Sequence, residues 1–283
     1  MQHGYHQLPG ILNFKLIKMK NIKIYLAVLI ITVTVVSCTK VIDLTLANDS
    51  GKLVIEANIT NINGPQYIVL SRNVAFTSTN TFPPVTGATV TVTDDEGNTY
   101  PFSEGPKGTY TAIQMAGIAG RTYKMTVVTG GITYSATSVM PASVPLDSVT
   151  SKNNDFNTKN NRKEITVHLQ DPPGVANQYR FVLWVNNVQV NTIFAYDDEF
   201  TNGRYVNGDL VENATDIYPG DSVRVEMQCI DKPIFTYWVT LMDQQLDSPG
   251  GGVAPSNPPT NISPTCLGYF SAHTTQTESI IVK

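Results

Sequence analysis

Asp197, Asp198, Glu199, Asp209 and Asp216 are among the carboxylates of one acidic stretch between Asn191 and Asp221. Carboxylates so placed suit general acid–base work, oxygen ligation of calcium, or plain solvation. The segment DDEFTNG, Asp197 to Gly203, lacks the alternating D-x-D-x-D-G spacing of a calcium loop. The separation that turns two carboxylates into a glycosidase pair is spatial and has no sequence signature. Phe194, Tyr196, Phe200, Tyr205 and Tyr218 decorate the same stretch, and aromatic rings offered from a loop bind the apolar faces of sugars or peptides at low entropic cost. Tyr196, Asp197, Asp198, Phe200 and Tyr205 are therefore the candidate ligand-binding residues. No catalytic set accompanies them: HExxH, GxSxG, CxxC and a phosphate-cradling loop are all missing from the sequence. Beyond residue 37 the histidines are His168 and His273, in or at the end of strand patterns, where a surface or satisfied imidazole is the ordinary role. The expectation is a non-enzymatic chain with no metal site.

The three cysteines divide into one and two. Cys38 follows two lysines, Lys20 and Lys23, and an apolar run of 13 residues, Ile24 to Val36. That run is too short for a bilayer core, which needs about 20 apolar residues, and has the proportions of a secretory signal. Residues 1–18 carry no motif, and a start at Met19 gives a signal of ordinary size. Val35-Val36-Ser37-Cys38 resembles the lipobox of bacterial lipoproteins, in which the cysteine is acylated and becomes the first residue of the mature chain. Acyl chains on Cys38 would hold the protein on a membrane without a spanning helix, at about 0.8 kcal/mol per buried CH₂. Cys229 and Cys266 remain as an even pair in an exported chain and are expected either to form a disulfide or to stay as two buried thiols.

Charge limits the partners. Four of the 19 basic residues precede Cys38 and none of the 23 acidic ones does, so the mature chain carries a net charge of about −8. Such a surface argues against nucleic acid and against an electrostatic grip on anionic headgroups. Anchoring falls to the lipid, and no cofactor beyond it is expected; calcium at the acidic stretch is the one ion considered.

These residues need elements to position them. After the leader and signal (1–37) and a polar tether (38–47), short alternating runs rich in Val, Ile, Thr and Tyr follow one another: LVIEAN, QYIVLSR, ATVTVTD, GTYTA, TYKMTVVT and ITYSATSV. Asp95-Glu96-Gly97-Asn98 and Gly130-Gly131 read as hairpin turns. This pattern predicts an immunoglobulin-like β-sandwich over 48–140. Pro141 and Pro145 mark a stiff linker, 141–145. Residues 146–283 are expected to form a larger antiparallel β domain from EITVHLQD, QYRFVLWVN, SVRVEMQCI, LGYFSA and ESIIV. One C-terminal helix, Pro233 to Gln245, is predicted from proline in the first turn and an apolar face of Phe235, Trp238, Leu241 and Met242.

Taken together, CTKVIDL behind the lipobox, LVIEANIT, DDEFTNG, YPGDSVRVEM, FTYWVTLMDQQ, NPPTNI and LGYFSAH resemble the Bacteroidetes outer-membrane lipoproteins of the domain of unknown function 4249 family. The resemblance spans nearly the whole mature chain. It implies a lipoprotein of the outer membrane, with a surface-exposed placement open to it, working beside a TonB-dependent transporter, and it brings no catalytic residues. The expected function is a lipid-anchored envelope binding protein, accessory to such a transporter in nutrient capture. The alternatives are a structural or adhesin-type envelope protein and, behind both, a carboxylate-based hydrolase.

Overall fold

The computed structural model describes residues 50–75, 78–154, 161–245 and 256–283. Cys38, the signal and the tether lie outside the described residues. The N-terminal half supplies β1 (Leu53–Thr60), β2 (Gly64–Arg72), β3 (Thr89–Asp94), β4 (Thr99–Glu104), β5 (Thr109–Met115), β6 (Thr122–Thr129) and β7 (Ile132–Val139). Period-two alternation decides which face of each strand is buried. On β1, Leu53, Ile55, Ala57 and Ile59 point inward together. They meet Ile68, Tyr110, Tyr123, Met125 and Phe270 in one core. Gly130 and Gly131, with φ of 57° and 75°, make the two-residue turn between β6 and β7. β4 is not predicted by the pattern, because its only buried apolar side chain is Phe102.

The second half contains β8 (Ser148–Asn153), β9 (Lys163–Gln170), β10 (Gln178–Val185), β11 (Val188–Gln189), β12 (Phe194–Asp197), β13 (Tyr205–Leu210) and β14 (Ser222–Cys229). Helix α1 (Lys232–Gln245), β15 (Ile262–Ser263) and β16 (Leu267–Ile281) complete the chain. The structure is mainly β and of the β-sandwich type. One 13-stranded sheet runs β11-β10-β14-β16-β1-β2-β5-β4-β3-β6-β7-β15, with β12 beside β10. A separate sheet, β13-β9-β8, covers its second half. Val167 and Leu169 of β9 pack there against Phe181, Leu183, Val225 and Met227.

β16 holds the two halves together. The sequence predicts two strands, LGYFSA and ESIIV; the structure has one strand of 15 residues. Its first half pairs parallel with β1, from Val54↔Leu267 to Thr60↔His273. Its second half pairs antiparallel with β14, from Cys229↔Thr274 to Ser222↔Ile281. The polar run between the two predicted pieces hides the continuity, since His273 and Thr274 are buried where the cores meet. The segment 141–145 crosses this junction under restraint: the Gln276 side chain donates to Ser143 Oγ and the Val144 carbonyl and accepts from the Leu146 N–H. Asn48–Lys283 is one compact unit.

The disulfide alternative is corrected here. Cys229 and Cys266 are both free thiols. Cys229 stands opposite Thr274 and packs into the second core, whereas Cys266 precedes Leu267 and packs on the first. The stretch of β16 from Leu267 to Thr274, at about 3.3 Å per residue, puts the two far beyond the roughly 7 Å that a bridge spans.

Candidate binding site

The acidic, aromatic stretch folds back onto the second sandwich through buried carboxylates. Asp171, fully buried, accepts the Tyr179 hydroxyl and the Gly203 N–H. Asp198 is buried too; its carboxylate accepts Asn202 Nδ2 at 2.9 Å while its carbonyl accepts the Thr201 and Asn202 N–H groups. Asn202 in turn accepts the Gly174 N–H and donates to the Val175 carbonyl. The turn is thereby fastened to its neighbour, and it holds the Phe200 ring out at 80% exposure.

Between the two sheets, beneath this turn, lies a cavity of about 310 Å³. Val167 and Leu169 of β9 face Tyr179 and Phe181 of β10 inside it, while Val206, Gly208 and Leu210 of β13 form one side. Tyr196 and Phe200 stand at its mouth. The Tyr196 ring is inclined at 49° to Phe181, centroids 6.3 Å apart. Burial, with the Asp209 charge adding to it, raises the Tyr196 phenol above its ordinary range. Asp197 and Asp209 also border the space. Asp197 pairs with Lys232 at 3.6 Å. Burial alone would raise the Asp209 carboxyl, but hydrogen bonds from Lys152 and Thr166, each 2.7 Å, outweigh it and hold the group below its ordinary value.

Three of the five residues singled out from sequence thus meet at one place: Tyr196, Asp197 and Phe200. Asp198 does not join them, because it is spent on the turn. Tyr205 does not either; it sits at the exposed start of β13. Among the other carboxylates, Asp216 pairs with Arg162 and accepts the Tyr218 hydroxyl. No three His, Cys, Asp or Glu side chains come together as a metal-binding group among the described residues. The inner walls escape sequence reasoning, since Val167, Leu169, Tyr179 and Phe181 have the alternation of any core strand. The one available signal is Gly208, a glycine within YVNGDL, of the kind that marks space or close approach. A Cβ there would lie 3.3 Å from Val167 Cγ2.

A larger cavity, about 680 Å³, opens at the end of the first sandwich beside Gly51, Arg72, Gly130, Tyr134 and Asn257. Its walls are largely loops, close to where the described residues stop. The smaller cavity is walled mainly by strands, which makes it the better-defined site.

The family model described as "Domain of unknown function (DUF4249)" matches residues 39–279. The chain belongs to this family. The match covers both sandwiches, α1 and most of β16, so the cavity of this DUF4249 member lies wholly inside it. No curated protein matches the chain. Among solved structures, the chain is similar to the adhesin InvE of Yersinia pseudotuberculosis, with 20% sequence identity and a TM-score of 0.21. That likeness covers 63% of this chain and 57% of the adhesin chain, just over half its length, and at that score it carries no argument.

Proposed function

We propose that this DUF4249 member is a Bacteroidetes lipoprotein, acylated at Cys38, and that it serves at the outer membrane as a non-enzymatic binding protein beside a TonB-dependent transporter in nutrient capture. The observation that carries the binding reading is the strand-walled apolar cavity with Tyr196 and Phe200 at its mouth. Preformed concave apolar sites with a few polar groups are where ligands and partner side chains lodge. A carboxylate-based hydrolase is the weaker reading: a proton-donating acid needs its pKa raised, and Asp209 is held down as an ion. The shared strand β16 favours a second reading, a stiff structural or adhesin-type envelope element, because it joins the two sandwiches without a free linker.

The deciding experiment is a pull-down of the native lipidated protein from detergent-solubilised outer membranes, with partners identified by mass spectrometry. A stoichiometric TonB-dependent barrel, lost in the Tyr196→Ala/Phe200→Ala double variant, is the expected result. Retention of the barrel in that variant removes the cavity as its docking site. Recovery of fimbrial or matrix proteins with no barrel moves the assignment to the structural reading. Cys38→Ala is expected to shift the protein from the detergent phase to the aqueous phase of a Triton X-114 partition.

A further inference from the structure

The cavity has a second kind of wall. Five consecutive residues, Val206 to Leu210, border it, although successive side chains of a strand point to opposite faces. An unbroken run of neighbours means that the backbone edge of β13 lines the opening. Among the described strands β13 pairs only with β9, so its other side has no ladder partner. Such edges are templates for another strand, and proteins blunt them with lysine, proline or a bulge. Tyr205–Leu210 contains neither lysine nor proline, and its register with β9 is unbroken from Tyr205↔Gln170 to Leu210↔Ile165. At the opposite edge of the same sheet, β8 carries Lys152. Across the cavity, β12 is closed off differently: its Ala195 N–H donates to Met242 Sδ of α1 at 3.4 Å. The edge without lysine, proline or bulge is therefore the one beside the cavity. Gly208 lets β13 lie close to Val167, where a Cβ would stand 3.3 Å from Val167 Cγ2, and the two carboxylates at the border, Asp197 and Asp209, are already met by Lys232 and Lys152, which leaves the apolar wall to select what enters.

We propose that β13 takes up an extended segment of a partner protein as an added strand, which seats one apolar or aromatic side chain in the cavity. The proposal rests on the cavity being the binding site. Main-chain hydrogen bonds along β13 supply the general affinity, and the cavity, reached by every second side chain, supplies selection.

The test uses the full lipidated chain in detergent micelles and fluorescein-labelled heptapeptides, each with a central Phe, Tyr, Leu or Ile, a lysine on either side and threonines at the ends. Fluorescence polarisation is expected to show saturable binding of at least one peptide, weakened about ten-fold or more by Gly208→Leu, which fills the cavity, and by Tyr196→Ala. The second variant removes a partly exposed ring and keeps the test valid where the first fails to fold, as judged by circular dichroism. An added strand uses one of its two edges, so N-methylation of one alternate set of peptide amides should abolish binding while methylation of the other set leaves it. Binding that is lost in both protein variants but is indifferent to either methylation keeps the cavity as a site and removes strand addition. Binding that survives both variants removes the cavity reading itself. The proposal is also overturned if no peptide binds at millimolar concentration, or if the chain dimerises in sedimentation and the peptides do not compete.

Discussion

Asp94 and His273 contribute to the acid response of this protein at different depths of acidity. The Asp94 side chain is fully buried, and it accepts from the Glu96 and Asn98 N–H groups, from Asn98 Nδ2 and from Arg121 at 2.9 Å. Burial alone would raise its carboxyl; the bonds from Asn98 and Arg121 outweigh burial and hold it below the ordinary 3.8. A lowered carboxyl contributes stability that is present above its unfolded pKa and is lost as pH falls through the folded one. Asp94→Ala, which also strands Arg121, is expected to cost about 2–4 kcal/mol in urea unfolding at pH 7. His273 works at milder pH. It is buried beside Ser271 Oγ, 2.9 Å away, and burial, with the Arg180 charge second, lowers its imidazole from 6.5 to about 3. Between those values the unfolded chain takes up a proton that the folded chain refuses, so falling pH favours unfolding by about 1.4 kcal/mol per pH unit. His273→Gln should flatten the stability profile between pH 6.5 and 4 without changing it near pH 8. Neither role in the acid response is visible in the sequence, where His273 reads as a surface or satisfied imidazole at a strand end and Asp94 as the last residue of the strand run ATVTVTD.

At the scale of elements, alternation makes most strands legible, and what escapes it follows from composition. β12 has four residues, too few to establish a period. β13 puts Gly208 where an apolar residue would have declared the inward face. Helix α1 is legible because Pro233 opens it and apolar residues recur at helical spacing. Its fastening is not: Asp231 Oδ1 accepts the Ile234 N–H while Oδ2 accepts Ser138 Oγ and the Val139 N–H of the other half. Nor is the stacking of Arg180 on Trp238, 3.6 Å to the ring centroid, where α1 packs a third small core of Ile234, Phe235 and Tyr269 against the sheet. Gly268 of β16 leaves no room for a side chain. Its φ is +95°, and a Cβ would collide with the Ile55 carbonyl at the parallel β1–β16 seam. Gly268→Ala is expected to lose at least about 2 kcal/mol, read as a clear drop in the urea midpoint with an unchanged slope. A neutral outcome would mean that the seam shifts freely to admit the methyl group.

For the whole molecule, the number of halves is legible and their independence is not. The two prolines near residue 143 announce a joint, yet β16 belongs to both cores and the joint is bonded to Gln276. Both tryptophans, Trp184 and Trp238, lie in the second half, so their fluorescence reports that core while far-ultraviolet circular dichroism reports both. Coincident thermal transitions by the two probes are expected; a separate early or late step seen by dichroism alone would show that the first sandwich stands by itself. The parallel seam also carries a consequence in time. Leu53–Thr60 is among the first folded segments to leave the ribosome, and its neighbour across the sheet arrives roughly 200 residues later. Until then the first sandwich has an open flank, with Ile55 and Ile59 short of Phe270 and Ala272. A chain built this way stays unfinished, and a fit client for chaperones, until its last strand is delivered, which is the condition a protein needs if it must pass through a membrane before it folds.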